Sequence, residues 1–74
     1  MSNIIIKSIG GASKEAVEQA VAVLSKAMGK PEKYFSVAVE SYAFGEWEGV
    51  YNQHIKDNDK VIVQPGYSNP VTFE

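Results

Sequence analysis

Hydrophobic and polar positions change their spacing twice between the amino terminus and residue 40. Residues 3–9 are rich in isoleucine and apolar on both alternating faces, which predicts a strand with two partly buried faces. From Ser13 to about Met28 the apolar positions recur every three or four residues, which predicts an amphipathic helix. Residues Tyr34–Glu40 alternate again and predict a second strand.

The ends of the predicted helix carry residues that usually begin and end helices. Ser13 is a good N-cap, and Glu15 lies in the first turn, where a negative charge is favourable. Gly29 suits the left-handed position after a helix, and Pro31 prevents continuation. Strand, helix and strand with short links predict a parallel strand pair with a right-handed crossover. The fold class is therefore α/β (α+β, two-layer), with one covering helix.

One helix covers one face of such a sheet, so the other face needs a different partner. The chain has 74 residues and no cysteine, so its core is small and has no disulfide to stabilise it. We therefore expect a homo-oligomer, at least a homodimer, in which a second copy covers the open face.

The C-terminal part of the chain is less regular and predicts an irregular arm. Glu46–Tyr51 predict a short helix or a turn, and Asp57–Asp59 a turn. Lys60–Gln64 predict a short third strand, followed by turn residues at Pro65–Pro70. Val71–Glu74 are either a loose tail or a segment that packs on a partner. Because no repeat or linker interrupts the chain, we expect one domain.

Composition argues against several classes of partner. The net charge is −2, and all seven basic residues are lysines without a basic cluster, which argues against nucleic acid. No segment approaches the ~20 apolar residues of a membrane span. The apolar stretch Ile4–Ile6 is too short for a signal peptide, so we predict none and expect a cytoplasmic protein without membrane contact. His54 is the sole histidine, and we predict no metal site.

The order of these features resembles the tautomerase superfamily, in particular the small proteins of the 4-oxalocrotonate tautomerase group. The resemblance rests on a strand from the first residues, a helix ending near Gly29-Lys30-Pro31, a second strand, Glu46-Trp47 and the late segment Gln64–Ser68. It covers roughly residues 2–69 and is nearest to a bacterial subgroup of slightly longer, typically dimeric chains. It implies a β-α-β unit that pairs into a homodimer, and in some members a hexamer.

The resemblance also implies a reaction, which is a keto–enol proton shift on a 2-oxo acid or a related enol without any cofactor. In that family the general base is an N-terminal proline, exposed when the initiator methionine is removed. Two arginines hold the substrate carboxylate and polarise its carbonyl, and an aromatic residue keeps the pocket dry. In this chain Ser2 stands at the proline position, Ala12 and Ser36 at the arginine positions, and Trp47 at the aromatic position.

The candidate site residues follow from these positions. If Met1 is removed, Ser2 offers a primary α-amine, which is partly neutral near pH 7 and can act as a general base. Ser36, Trp47 and Lys7 are the candidate substrate-binding residues, with Lys7 as a substitute anion holder. Each has a simpler interpretation. Lys7 suits a solvated strand position, Ser36 a subunit contact or a water-facing position, and Trp47 the core or a subunit contact.

Two functions of different classes remain open. The first is a tautomerase-like keto–enol isomerase that uses the Ser2 amine on a small oxo acid. The second is a catalytically silent small-molecule-binding or assembly module on the same scaffold, which the replacements at Ser2, Ala12 and Ser36 favour.

Overall fold

The computed structural model describes residues 1–67. The chain divides into two compact units, Met1–Tyr42 and Ala43–Glu74, and the single domain over residues 1–74 stays a prediction. The first unit contains two strands, a helix and a short 3₁₀ turn: β1 (Ser2–Ile9), α1 (Lys14–Met28), the turn Glu32–Tyr34 and β2 (Phe35–Tyr42). The protein is therefore a small α+β fold, and the predicted strand–helix–strand order is confirmed.

The two strands pair in parallel along their whole length, with Ser2 opposite Phe35 and Ile9 opposite Tyr42. Because the pairing is parallel and in register, the amino ends of both strands lie at the same edge of the sheet. The second strand continues beyond its predicted end at Glu40, since the last residues of β1 provide it with partners.

Local chemistry fixes both ends of α1 as the sequence predicts. The Ser13 hydroxyl accepts a hydrogen bond from the Ala16 amide at 3.1 Å, which caps the first turn. Gly29 follows the helix in the left-handed conformation with a φ of 67°. Its N–H donates to the Lys26 carbonyl at 3.3 Å, so a glycine-based C-cap ends the helix.

The two faces of the sheet differ in their exposure. Ile4, Ile6 and Val37 share one face and are half-buried. On the opposite face, Ile5 is 51% exposed and Ile9 is 39% exposed. The prediction that both faces of β1 are partly buried therefore holds for one face more than for the other.

Consecutive helical turns begin the second unit: a 3₁₀ turn at Phe44–Glu46, α2 (Trp47–Val50) and a π-helical turn at Tyr51–Ile55. This segment is longer than the short helix or turn predicted over Glu46–Tyr51. Val50 is 6% exposed and is the one buried residue within 1–67. The described part of the chain therefore has a very small core of its own.

The prediction of a third strand at Lys60–Gln64 is wrong, because these residues adopt turns and bends. A β-branched run forms a strand only when another strand satisfies its backbone groups, and the sheet within residues 1–67 contains β1 and β2 alone. Ile62 and Val63 are accordingly 95% and 84% exposed. The predicted tail at Val71–Glu74 lies outside the described residues. No helix in the described range is both long and apolar enough to cross a membrane.

Candidate functional site

An open depression with a volume of about 390 Å³ lies at the sheet edge where both strands begin. Two segments line it, residues 1–3 and residues 33–36. The strand register explains this arrangement. Because Ser2 pairs with Phe35, the start of β1 lies beside the turn that leads into β2. Two segments that are thirty residues apart in the chain thus form one site.

The amino terminus forms part of this depression. Ser2 is half-buried as the first residue of β1, whereas Met1 is 92% exposed. With Met1 present, the α-amino group therefore belongs to an exposed residue, whereas the backbone nitrogen of Ser2 belongs to a half-buried one. Removal of Met1 would transfer the free amine to the more enclosed position.

Ser36 lines the depression from the second strand and is held by a neighbour on the first. Its hydroxyl donates a hydrogen bond to Asn3 Oδ1 at 2.8 Å, across the paired positions of β1 and β2. The structure therefore brings together two residues predicted for the site, Ser2 and Ser36. It adds Asn3, whose amide also carries N–H donors that this bond does not use.

Lys33 and Tyr34 line the depression from the 3₁₀ turn before β2, and the sequence analysis missed both. The Lys33 ammonium lies 5.3 Å from the centre of the Tyr34 ring, within cation–π range. Lys33 carries the only charged side chain among the lining residues, which include no carboxylate. The strand register was the signal that could have found them, because it aligns this turn with the start of β1.

Lys7 does not line the depression. It lies five residues beyond Ser2, roughly 16 Å along an extended strand at about 3.3 Å per residue. Its ammonium donates to Glu40 Oε1 at 2.6 Å and contacts the Tyr42 hydroxyl at 3.5 Å. The Tyr42 hydroxyl donates to the same carboxylate oxygen at 2.6 Å, so the three side chains form a cluster that we call the Lys7–Glu40–Tyr42 cluster.

The electrostatics of this cluster favour an ion pair over an anion-binding site. The hydrogen bond to Glu40 raises the pKa of Lys7, because the carboxylate stabilises the charged ammonium. The same carboxylate raises the pKa of Tyr42, because it accepts the phenolic proton. Lys7 is therefore bound to a carboxylate of its own chain, which leaves Lys33 as the lysine beside Ser2.

The two remaining family positions lie elsewhere. Ala12 is exposed and follows Gly11 in the turn after β1, at the sheet edge opposite the depression. Trp47 belongs to the second unit, where it is half-buried and its Nε1–H donates to the Tyr67 hydroxyl at 2.8 Å. The Tyr67 ring in turn lies 5.9 Å from the Tyr51 ring, so Trp47 is part of an aromatic cluster.

Comparison with known proteins adds no independent assignment. No protein-family model matches this chain, and neither a curated protein nor a solved structure matches it. The tautomerase resemblance accordingly stays a prediction. The functional argument rests on the depression, its lining residues and their chemistry.

Proposed function

We propose that the depression beside Ser2 is the ligand site of a tautomerase-like protein that catalyses a keto–enol proton shift on a small 2-oxo acid or enol. One observation carries this proposal. Ser2 and Ser36 are the replaced base and one replaced anion holder of the resembled family, and both line the same depression at the amino edge of the sheet. The proposed reaction involves no cofactor.

The proposed base is the α-amine of Ser2 after removal of Met1, which a small second residue normally permits. The position of Ser2 supports this role, because its pairing with Phe35 at the start of β1 holds residue 2 at the depression. When an enol becomes a ketone, its hydroxyl loses a proton and the neighbouring carbon gains one. An amine that accepts one proton and returns one is therefore sufficient for the reaction.

Asn3 is the proposed partner of the ligand oxygen, and Ser36 is the residue that positions it. Because the Ser36 hydroxyl proton is directed to Asn3 Oδ1, we assign donation to the amide hydrogens of Asn3. Ser36 then acts by holding that amide in place. Trp47 as an apolar wall, taken from the resemblance alone, stays a prediction.

The test begins with the mass of the amino terminus in protein from its native cell, followed by an absorbance assay for ketonisation of phenylenolpyruvate. Ser2→Ala keeps the α-amine and permits removal of Met1, so it should retain the activity of the processed protein. Ser2→Gln places a large side chain at residue 2 and should retain Met1, so it should reduce the rate to that of the uncatalysed reaction.

Ser2→Pro should raise the rate above that of the parent, because it restores a secondary amine at the same position. A processed protein that gives only the buffer rate, with a Ser2→Pro variant that is equally inactive, would refute the proposed reaction.

A second candidate is a catalytically silent small-molecule-binding or assembly module. The exposure of Met1 favours it, because the α-amine of the unprocessed chain belongs to a residue that is 92% exposed. No arginine is available at Ala12 or Ser36 to polarise a carbonyl. A retained Met1 in the native protein, together with ligand binding without turnover, would favour this candidate.

We also propose that the protein is a homodimer in which a second copy covers the sheet face that carries Ile5 and Ile9. Their exposure, 51% and 39%, supports this proposal. The small core supports it as well, because Val50 is the one buried residue within 1–67 and a small domain with little core gains stability from a subunit contact. A cytoplasmic location stays a prediction.

A further inference from the structure

The one charged side chain that lines the depression is cationic. It is the Lys33 ammonium, and none of the lining side chains is a carboxylate. A cavity lined by charge of one sign favours ligands of the opposite sign. An anion is therefore the ligand that this charge distribution favours.

The same depression offers an apolar surface directly beside the Lys33 ammonium. The Tyr34 ring is 40% exposed and lies 5.3 Å from Lys33 Nζ, and the adjacent Phe35 also lines the depression. Lys33 and Tyr34 lie on the same 3₁₀ turn, which is closed by a hydrogen bond from the Tyr34 amide to the Pro31 carbonyl at 3.1 Å. Cation and ring are thus presented together on one short, hydrogen-bonded turn.

We propose that the depression binds small monocarboxylates with an aryl or alkyl group, with Lys33 as the carboxylate-binding residue and the Tyr34 ring against the apolar part. This inference deepens the proposed function. Its relevance to a reaction rests on that proposed function, whereas the binding of a carboxylate does not. It assigns the anion-holding role to a residue outside the predicted positions. Lys7 is excluded from that role because Glu40 holds its ammonium at 2.6 Å.

The test compares an uncharged probe, phenylacetamide, with its charged analogue, phenylacetate, in titrations followed by backbone amide chemical shifts. The ratio of their dissociation constants measures how much the carboxylate charge contributes to binding. An exposed ion pair corresponds to a roughly two- to five-fold preference for the carboxylate. Lys33→Gln should reduce this ratio toward one, whereas Lys30→Gln, which removes an exposed lysine outside the lining, should leave it unchanged.

A further variant separates charge from apolar contact. Tyr34→Ala should weaken the binding of both probes and leave their ratio nearly unchanged, because it removes the ring and keeps the ammonium. Unaltered circular dichroism spectra of all three variants exclude a folding defect. An unchanged ratio in Lys33→Gln, or shifts at residues away from 1–3 and 33–36, would overturn the inference.

Neither probe is a substrate for keto–enol exchange, so the outcome is independent of catalysis. A Lys33-dependent preference without ketonisation of phenylenolpyruvate would support the inference and refute the proposed reaction. Ketonisation with an unchanged probe ratio in Lys33→Gln would do the reverse.

Discussion

Two glycines allow a direct test of how backbone conformation affects the free energy of unfolding, because an added side chain would have open space at both positions. Gly29 follows α1 with a φ of 67°, whereas Gly49 lies inside α2 and does not have a positive φ. A β-carbon added at either position would meet no atom within 4 Å apart from its chain neighbours and the backbone of its own helix. The variants Gly29→Ala and Gly49→Ala therefore differ mainly in the conformation that the new alanine must adopt.

The expected free-energy changes have opposite signs. An L-residue in the left-handed conformation costs roughly 1–2 kcal/mol, of which a less flexible unfolded chain offsets about 0.4–1 kcal/mol. Gly29→Ala should therefore lower the free energy of unfolding by about 1 kcal/mol. Within a helix, alanine is more favourable than glycine by about 0.8–1.0 kcal/mol, so Gly49→Ala should raise it by a similar amount.

The assay is urea unfolding followed by far-ultraviolet circular dichroism, with Trp47 fluorescence as a second probe of the second unit. All samples need the same protein concentration, because a homodimer is stabilised by mass action. With a slope of about 1 kcal/mol/M, the two midpoints should move apart by about 2 M. Gly29→Asn should recover part of the loss, since asparagine tolerates the left-handed conformation. A Gly29→Ala variant as stable as the parent would refute the assignment of this C-cap.

Two further predictions concern the sheet. Ile5→Glu should convert the proposed dimer to a monomer in sedimentation velocity, because it places a charge in the apolar face that the second copy covers. Val23→Glu is the matched control, because Val23 lies on α1 at 68% exposure, and this variant should stay dimeric. If both variants sediment like the parent, the dimer does not use this face. The Tyr42 phenol should ionise at a pH above its ordinary pKa of 10, because its hydrogen bond to Glu40 raises its pKa. Glu40→Gln should lower that midpoint in an absorbance titration against Tyr42→Phe. Since folding raises the pKa of Tyr42, the associated stability is present below pH 10 and is lost as the pH rises through the pKa of the folded state. An ionisation midpoint in Glu40→Gln equal to that of the parent would contradict the contact between Tyr42 and Glu40.

Helix α1 could be predicted from sequence because its limits depend on nearby residues. The Ser13 cap contacts an amide three residues away, and Gly29 contacts the carbonyls of the last turn. The failed third strand at Lys60–Gln64 had the right residue types, but strand formation depends on a partner that local sequence does not specify. Propensity is therefore a better guide to this helix than to this strand.

The candidate site was only partly predictable for the same reason. Ser2 and Ser36 came from a resemblance, and the parallel register brings both to one depression. Lys33 was missed because it stands before β2, where its proximity to the amino terminus depends on a pairing across thirty residues. Lys7 was selected for its charge, and its partner Glu40 became visible only when the register placed the two residues side by side.

The participation of Met1 in the wall of the depression has a practical consequence for recombinant protein. An affinity tag or a cloning remnant fused ahead of Met1 would extend from the same sheet edge, directly beside the depression. It would also leave no free amine at residue 2. Ligand screens with such material would therefore test an altered site, so a purification handle belongs at the opposite end of the polypeptide.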